Sequence, residues 1–394
     1  MVLARGRLVV EKPLLLSFMC MVLGPYWDCT PIPERYCACE TWHNERAVMQ
    51  QIELGRTGIM VSDWCLGSMT YASQTPQEDA HRQIDMALET GVNFIDTAEM
   101  YPVNPIRSET VGNSERCIGA WLEKTGRRGD VVIATKATGD QSMVRQGQGY
   151  SPDTILDILD DNLKRLGTDY IDLYQLHWPM RGSYMFRKNW TFDPSGQDRA
   201  KTMDHMAGML DKLGQAQKAG KIRAFGLSNE SAWGTTKWID VAEQMGGPRV
   251  ASVQNEYSLL CRLYDTDMAE MSVNEDVVCF SFSPLGAGYL TGKYRGGAVP
   301  EGSRMSINKG MGGRNNPRVH EAVEAYAAVA EKHGLDLAHM AMAFQRSRPF
   351  KTSAIFGATT VAQLEHLLAG DGVELSAEVL ADIDVAHRAH PMPY

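Results

Sequence analysis

The sequence is short of positive charge. Its 394 residues include 39 Lys and Arg against 48 Asp and Glu, which gives a formal net charge of −9. Proteins that bind nucleic acid cluster Lys and Arg to neutralise phosphates, so this balance argues against a DNA or RNA partner. Hydrophobic residues make up 44% of the chain, which is ample for a large core.

Metal and redox cysteine motifs are also missing. The eight cysteines form no CxxC pair and no Cys/His cluster at zinc spacing, so no metal is expected. We expect free thiols, consistent with a reducing, cytoplasmic location. Four cysteines fall early in the chain and four in apolar segments that predict burial: Cys20, Cys29, Cys37 and Cys39, then Cys65, Cys117, Cys261 and Cys279.

Residues 1–48 contain no pattern that a folded unit needs. Arg5, Arg7 and Lys12 precede the apolar run LLLSFMCMVLG, which looks superficially like a secretory signal. The run is too short to span a bilayer, and no convincing small-residue cleavage site follows it. The simplest hypothesis is an upstream extension, disordered or arising from a miscalled start, with a targeting peptide as the alternative. Residues 49–394 are then expected to form one domain.

From residue 63 onward, short apolar runs alternate with helical patterns. One of these, SPDTILDILDDNLKRLG, predicts a helix capped by Ser151, with Pro152 at its first position and Gly167 at its end. Eight such units predict an α/β fold in which parallel strands close into a (β/α)8 barrel. The predicted strands are 63–67, 92–96, 131–135, 171–176, 222–227, 250–254, 277–282 and 353–356.

Three of these runs stop at chemically active side chains. They end at Asp96, Lys136 and His177, and Tyr101 follows Asp96 in the next loop. The carboxyl ends of barrel strands meet at one mouth, so the four side chains should converge. Taken singly, each has an ordinary structural explanation, such as a helix cap or a solvated charge.

Together these four side chains can protonate a carbonyl oxygen. A phenol, with a pKa near about 10, acts as a general acid near neutrality only if a cation stabilises its phenolate. Lys136 can supply that cation, Asp96 can keep it charged and fixed, and His177 can aim a substrate oxygen at Tyr101. This chemistry needs no metal and points to hydride transfer.

At this point the chain resembles the aldo-keto reductases. The segments DTAEMY, LHWP, GLSN, QNEYSLL and SPLGAGYLTGKY follow that family's order, between about Met49 and about Arg388. DTAEMYPV and the Trp-Pro after His177 look most like the bacterial Tas-like branch, with potassium-channel β-subunits as relatives. The resemblance implies a TIM barrel whose bottom is closed by a short hairpin in QIELGRTGIMVS.

The resemblance also implies a nicotinamide coenzyme, whereas no GxGxxG follows the first strand to suggest a Rossmann fold. Gln363 stands where many relatives have an arginine for the 2′-phosphate, but Lys293 and Arg304 are retained, so NADPH is expected over NADH. The implied coenzyme positions are Ser68, Met69, Ser228, Asn229, Gln254, Phe282, Ser283, Pro284, Leu285, Gly286, Gly288, Lys293, Arg304, Gly357, Thr359 and Gln363. The implied substrate-pocket residues are Trp178 and Met180.

Three functions follow for comparison. The leading one is an NADPH-dependent carbonyl reductase acting on an aldehyde or ketone. The alternative is a cofactor-binding regulatory subunit of a membrane protein with slow reductase activity, and a homo-oligomer is compatible with either. A metal-dependent barrel hydrolase is discounted because GSMTY stands where an HxH would follow the first strand. Two long loops, 180–203 and 288–317, predict functional lids or disordered segments.

Overall fold

Residues 49–394 are the part of the chain that this computed structural model describes. The predictions for residues 1–48 and their four cysteines therefore lie outside the described residues. Within the described part, no helix combines the length and the apolar character needed to cross a membrane.

Eight parallel strands close into a barrel, which confirms the predicted α/β barrel fold. Each predicted strand lies within two residues of an observed one, and β10 closes the ring by pairing with both β9 and β3. A two-stranded antiparallel hairpin precedes the barrel. The hairpin strands are β1 Gln51–Glu53 and β2 Met60–Ser62, and the barrel strands are β3 Trp64–Gly67, β4 Phe94–Asp96, β5 Val132–Ala137, β6 Ile171–Leu176, β7 Ile222–Ser228, β8 Val250–Glu256, β9 Val278–Phe282 and β10 Thr352–Phe356.

Helices connect the strands around the barrel. In order, they are α1 Gln77–Glu89, α2 Asn113–Thr125, α3 Ile155–Leu166, α4 Arg199–Lys218, α5 Ala232–Met245, α6 Asp267–Glu275, α7 Arg304–Ile307, α8 Pro317–Lys332, α9 Leu337–Arg346, α10 Val361–Leu368 and α11 Ala377–Ala389. Helix α3 begins three residues later than the sequence predicts. Ser151 does not cap it; instead the Ser151 carbonyl accepts from the Thr154 and Ile155 amides at 3.1 and 3.0 Å. Gly167 ends the helix in a left-handed conformation, as predicted (φ 62°).

The hairpin closes the bottom of the barrel, where the strands begin. Leu54, Ile59 and Val61 share one apolar cluster with inward-facing barrel residues that include Phe94 and Phe280. The two phenylalanine ring centroids lie 4.9 Å apart. The interior is thus packed with side chains from its lower end, and the other end is left for polar groups.

The cysteines of the described part are free thiols, as expected: Cys65, Cys117 and Cys279 are buried and Cys261 is partly buried. Burial raises the pKa of Cys117 to about 12, so this thiol stays protonated.

Candidate active site

A buried ion pair joins two neighbouring strands at the barrel mouth. Lys136 Nζ, on β5, donates to Asp96 Oδ2 at 2.7 Å and to the Thr97 carbonyl at 2.7 Å. Lys136 is 0% exposed and Asp96 2%. Burial lowers the pKa of Lys136, but the charge and hydrogen bond of Asp96, together with the neighbouring Tyr101 and Cys65, outweigh this effect and leave the pKa above its ordinary value. A fixed ammonium charge therefore lies inside the mouth.

The second oxygen of Asp96 is also held in place. Gln254 Nε2, from β8, donates to Asp96 Oδ1 at 2.8 Å, and Gln175 Nε2, from β6, donates to it at 3.3 Å. With its oxygens engaged, the carboxylate cannot turn away from the ammonium. Gln175 is a site residue that the sequence analysis missed, because it lies within a strand rather than at its end.

Tyr101 and His177 lie beside this pair. The Lys136 ammonium is 4.9 Å from the centroid of the Tyr101 ring, and the Tyr101 and His177 ring centroids are 5.8 Å apart at 79°. Burial raises the pKa of Tyr101 above its ordinary value, and the Lys136 charge only partly opposes this. The phenol therefore keeps its proton near neutral pH, with a cation beside it.

His177 is held in its neutral form. Burial, and then the charge of Lys136, keep the pKa of the imidazole well below its usual range. Its buried Nδ1 has no hydrogen-bond partner among residues 49–394. A neutral imidazole carries one N–H donor, which suits it to a carbonyl oxygen next to Tyr101. The structure thus brings the four sequence-predicted side chains together.

Three of the predicted coenzyme residues adjoin the same cluster. Asn229 Nδ2 donates to the His177 carbonyl at 2.9 Å and to Ser228 Oγ at 3.1 Å, and Ser228 Oγ donates to the Gln254 carbonyl at 2.9 Å. The buried Asn229 Oδ1 lacks a partner in the described part of the chain. An unpartnered amide oxygen fits the N–H of a nicotinamide carboxamide. Phe282 is the last residue of β9, paired in register with Glu256 of β8.

The loop after β9 is shaped by left-handed backbone. Four residues between 283 and 288 have positive φ, namely Ser283, Gly286, Ala287 and Gly288 at 56°, 56°, 59° and 99°. A Cβ on Gly286 would lie 2.7 Å from Leu260 Cδ1, and one on Gly288 would lie 2.9 Å from Lys293 Cε. Small residues are therefore required here. Pro284 and Leu285 complete the turn, whose Gly286 amide donates to the Ser283 carbonyl at 2.8 Å.

Lys293 and Arg304 are two cations that form no salt bridge within residues 49–394. Burial, followed by the charge of Arg304, lowers the pKa of Lys293. Burial, followed by the charge of Arg314, lowers the pKa of Arg304 to about 10. The charge of Arg304 also opposes the rise in the pKa of Tyr101 that burial causes. Partly desolvated cations that repel one another favour a bound anion, and a coenzyme phosphate fits that requirement.

Two predicted coenzyme residues follow β3. Ser68 Oγ donates to the Asp96 carbonyl at 2.9 Å, and the Met69 carbonyl accepts from the Val103 amide at 3.1 Å. Both contacts tie the loop after β3 to the segment that carries Tyr101.

Of the remaining three, Gly357 and Thr359 lie between β10 and α10, and Gln363 lies in the first turn of α10. A Cβ on Gly357 would lie 3.2 Å from the Gly67 carbonyl oxygen, so the two loops pack closely. The Thr359 amide and hydroxyl both donate to Gln363 Oε1, at 3.0 and 3.1 Å. The Gln363 side chain thus folds back on the start of α10.

The two predicted substrate-pocket residues lie in different surroundings. The Trp178 ring centroid is 4.9 Å from that of His177, and Trp178 Nε1 donates to the Asp140 carbonyl at 3.2 Å. Met180 packs against the loop after β5, since a Cβ on Gly149 would lie 2.4 Å from its Cε. Trp178 therefore adjoins the catalytic candidates, whereas Met180 faces a neighbouring loop.

Buried carboxylates form a further layer that the sequence analysis missed. Glu99 pairs with Arg145 at 2.6 Å, and Glu230 pairs with Arg181, with one contact at 2.9 Å. For Glu230 and Glu256, the sequence signal was a glutamate at the end of a strand motif, in SNE (228–230) and in QNE (254–256). A carboxylate that is buried at the end of a strand needs a hydrogen-bond donor or a cation as its partner.

Glu256 joins both long loops. It accepts from Arg187 at 2.7 Å, from Arg314 at 2.8 Å and from the Tyr394 hydroxyl at 3.1 Å. Arg187 lies in the loop after β6, and Arg314 in the loop after β9. The two loops predicted to be lids or disordered are therefore anchored at the mouth, and the second contains helix α7.

An eight-stranded parallel barrel with polar groups at the carboxyl ends of its strands defines the class of α/β barrel enzymes. The model of the aldo/keto reductase family matches residues 64–388, and the chain belongs to that family. This confirms the resemblance and makes the protein a member of a family of oxidoreductases that generally use NAD(P)H.

Several curated relatives cover most of the chain. Protein tas of Escherichia coli is 41% identical over 352 residues, covering 88% of this chain and 99% of its own length. The oxidoreductase YrpG of Bacillus subtilis is 29% identical, over 84% of this chain and 94% of its own length. A probable voltage-gated potassium channel subunit beta of Arabidopsis thaliana is 29% identical, over 85% of this chain and 95% of its own length.

Proposed function

We propose that this protein is an NADPH-dependent carbonyl reductase that reduces an aldehyde or ketone, with Tyr101 as the general acid. One observation carries the proposal: a protonated phenol, a buried ammonium and a neutral imidazole adjoin one another at the barrel mouth. Family membership and the likeness to protein tas support it. The comparisons do not favour the regulatory-subunit alternative, since identity to the channel subunit is 29% against 41% for tas.

Each side chain has a separate role in this mechanism. His177 donates a hydrogen bond to the carbonyl oxygen and orients it towards Tyr101. When bound, the reduced coenzyme supplies a hydride to the carbonyl carbon. Tyr101 gives its proton to the carbonyl oxygen, so that the carbonyl group becomes an alcohol. The phenolate left behind is stabilised by the Lys136 ammonium, which Asp96 fixes in place.

The coenzyme residues fit a nicotinamide dinucleotide. Asn229 Oδ1 offers an acceptor for the carboxamide, and Phe282 offers a flat surface for one face of the ring. The left-handed backbone of loop 283–288, with small residues, leaves room for a pyrophosphate to approach, while Lys293 and Arg304 supply positive charge for phosphates. The second cation, beyond what a pyrophosphate needs, is our reason for choosing NADPH over NADH.

Tyr101→Phe tests the assignment, because it removes the proton and keeps the ring. We expect kcat/KM for carbonyl reduction to fall by at least about 10²-fold, with NADPH affinity within about twofold of the wild type. The substrate comes from a screen of aldehydes, ketones and sugars, run with NADPH and NADH in parallel. Tyr326→Phe is the matched control, since that buried hydroxyl bonds only to the Leu259 carbonyl, at 2.7 Å. Near wild-type turnover in Tyr101→Phe would overturn the assignment.

A further inference from the structure

Three side chains able to bind a metal meet on the outer surface of the barrel. Asp336 and His339 lie at the start of α9, and His366 lies in the last turn of α10. One ligand atom from each lies within 4.8 Å of those of the other two. We propose that Asp336, His339 and His366 form a binding site for a divalent transition-metal ion of the zinc class.

The carboxylate is already fixed by the helix that it caps. Asp336 Oδ1 accepts from the amides of Ala338 and His339 at 2.8 and 3.0 Å. These bonds hold the side chain at the α9 N-terminus and leave Oδ2 directed towards His366, whose Nε2 is 3.4 Å away. His339 is three residues further along the helix, which places it on the same face as Asp336.

The hydrogen bond of His339 determines which of its nitrogens is free. His339 Nε2 lies 2.7 Å from the His366 carbonyl oxygen, and a carbonyl only accepts, so Nε2 carries the proton. In the neutral ring, Nδ1 then presents a lone pair, 4.0 Å from Asp336 Oδ1. The lone pair of His339 Nδ1 thus faces a carboxylate rather than an N–H or O–H donor, and a cation bound beside Asp336 satisfies it. Metal-bound histidines commonly donate their other N–H to a carbonyl in this way.

One separation already matches a shared ion, and the other ligand atoms lie within 4.8 Å, so a bound ion would draw them closer. Zinc holds imidazole nitrogen and carboxylate oxygen at about 2.0–2.2 Å in a tetrahedron, which places two ligand atoms about 3.3 Å apart. The 3.4 Å between His366 Nε2 and Asp336 Oδ2 agrees with that value. The two imidazole rings stack with centroids 4.7 Å apart, at 28°. Because the His366 side chain is 55% exposed, water can complete the coordination.

The backbone beside the site is shaped around the His339 ring. A Cβ on Gly370, just after α10, would lie 2.4 Å from His339 Cδ2 and 2.6 Å from its Cγ. Only glycine leaves room for the imidazole in this position. The ring is therefore held in place before any ion arrives, and less conformational entropy is lost on binding.

The ligand set selects the kind of metal. Imidazole nitrogen suits zinc, cobalt, nickel and copper, whereas magnesium and calcium prefer oxygen ligands. Two imidazoles and one carboxylate on two helices, with an open position for water, are typical of zinc-class sites.

The test is calorimetric titration of the tag-free, chelator-treated full chain with zinc chloride. We expect one zinc equivalent whose affinity falls at least about 10-fold in both Asp336→Asn and His366→Ala. Asn caps helices about as well as Asp, so Asp336→Asn keeps α9 capped and removes only the charge. His320→Ala is the control, because His320 contacts Asn315 and is not part of the cluster. Magnesium chloride should give no comparable binding.

Cobalt(II) provides a second readout that does not depend on stability. Its visible absorption should show a low-symmetry, four- or five-coordinate site in the wild type and in His320→Ala, and should lose this band in His366→Ala. Zinc binding of unchanged affinity in both cluster variants would overturn the proposal. So would the absence of zinc binding in the wild-type chain, or magnesium binding that equals zinc.

Discussion

Buried charges are paired differently at the two ends of the barrel. At the bottom, arginines bond to carboxylates that lie at or just before the start of the strands. Arg346 donates to Asp63 at 3.0 Å, while Asp172 accepts from Arg128 at 2.8 Å and from Arg223 at 2.6 Å. Asp172 is 1% exposed and also accepts from the backbone amide of Ile133, so its charge is fully compensated.

At the mouth, several polar groups are left without partners. Lys293 and Arg304 make no salt bridge within residues 49–394, and both have a pKa lowered first by burial. His177 Nδ1 and Asn229 Oδ1 are buried without hydrogen bonds in the same part of the chain. An unmade hydrogen bond or an unpaired charge costs stability, and we interpret this group of unpartnered atoms as the place where the proposed coenzyme and substrate bind.

The difference separates stability from function. Changes at the bottom should alter the free energy of unfolding and leave kinetic constants intact, and changes at the mouth should do the reverse. Lys136 sharpens the comparison because it lies at the mouth and is paired, as are the arginines that bind Glu99, Glu230 and Glu256.

Lys136→Met should have the largest effect. Without the cation, the phenolate formed by proton transfer loses its stabilisation, so we expect kcat for reduction to fall by about 10³-fold. The pKa of Tyr101, already raised by burial, rises further when the opposing charge is removed. Alcohol oxidation needs the phenolate as a base, so its pH optimum should move upward. The measurement is the pH profile of kcat/KM in both directions.

The same variant should also be unstable. It leaves the Asp96 carboxylate buried without its cation, which costs about 3–5 kcal/mol. The double variant Asp96→Asn with Lys136→Met should recover much of that stability and none of the activity. If the double variant also regained turnover, the role of Lys136 would be structural only.

Removal of the two unpaired cations should have the next largest effect. Changing Lys293 and Arg304 together to Ala should weaken NADPH binding by about 10²-fold and NADH binding by much less, since the 2′-phosphate carries the additional charge. Arg295→Ala is the matched control, because Arg295 lies on the same loop and is paired with Glu324 and Glu331 at 2.8 Å. Equal losses for both coenzymes would show that these residues do not read the 2′-phosphate.

Asp172→Asn tests the bottom of the barrel. It removes the charge that holds Arg128 and Arg223, and we expect the free energy of unfolding to fall by about 2 kcal/mol. This corresponds to a melting temperature lower by roughly 3 °C for a domain of this size. Denaturant titration and thermal melts give both values. Because Asp172 lies at the opposite end from Tyr101, kcat and KM should stay at wild-type values, and a tenfold loss of kcat would contradict the separation.

Local sequence patterns were sufficient to predict the strands and the convergence of the four catalytic candidates at one end of the barrel, whereas their catalytic roles stay a prediction. A buried parallel strand is a continuous apolar run, and its abrupt end at Asp96 or Lys136 is visible without any long-range information. The start of α3 was predicted wrongly because the residues SPDT are favourable both at the start of a helix and in a turn, and here they form a turn. Residues 152–154 form this turn, and the helix begins at Ile155.

The layer of ion pairs at the mouth was not predictable in this way. The arginines that pair with Glu99, Glu230 and Glu256 come from loops. The arginine of Glu99 is 46 residues away in sequence and that of Glu230 is 49 residues away. The two arginines of Glu256 are 69 and 58 residues away. No period or cap relates such residues. Only the closed barrel, which brings every loop after a strand to one end, places them together.

Removal of residues 1–48 should have the smallest effect. Met49, where the described part begins, is 1% exposed and lies at the bottom, with its sulphur 3.2 Å from Arg346 Nη2. A chain that begins at Met49 keeps the hairpin, all eight barrel strands and every mouth residue. We therefore expect its melting temperature and its reductase kcat to match those of the full chain, measured on the two lengths expressed side by side. A melting temperature lower by more than about 5 °C would show that residues 1–48 stabilise the folded chain.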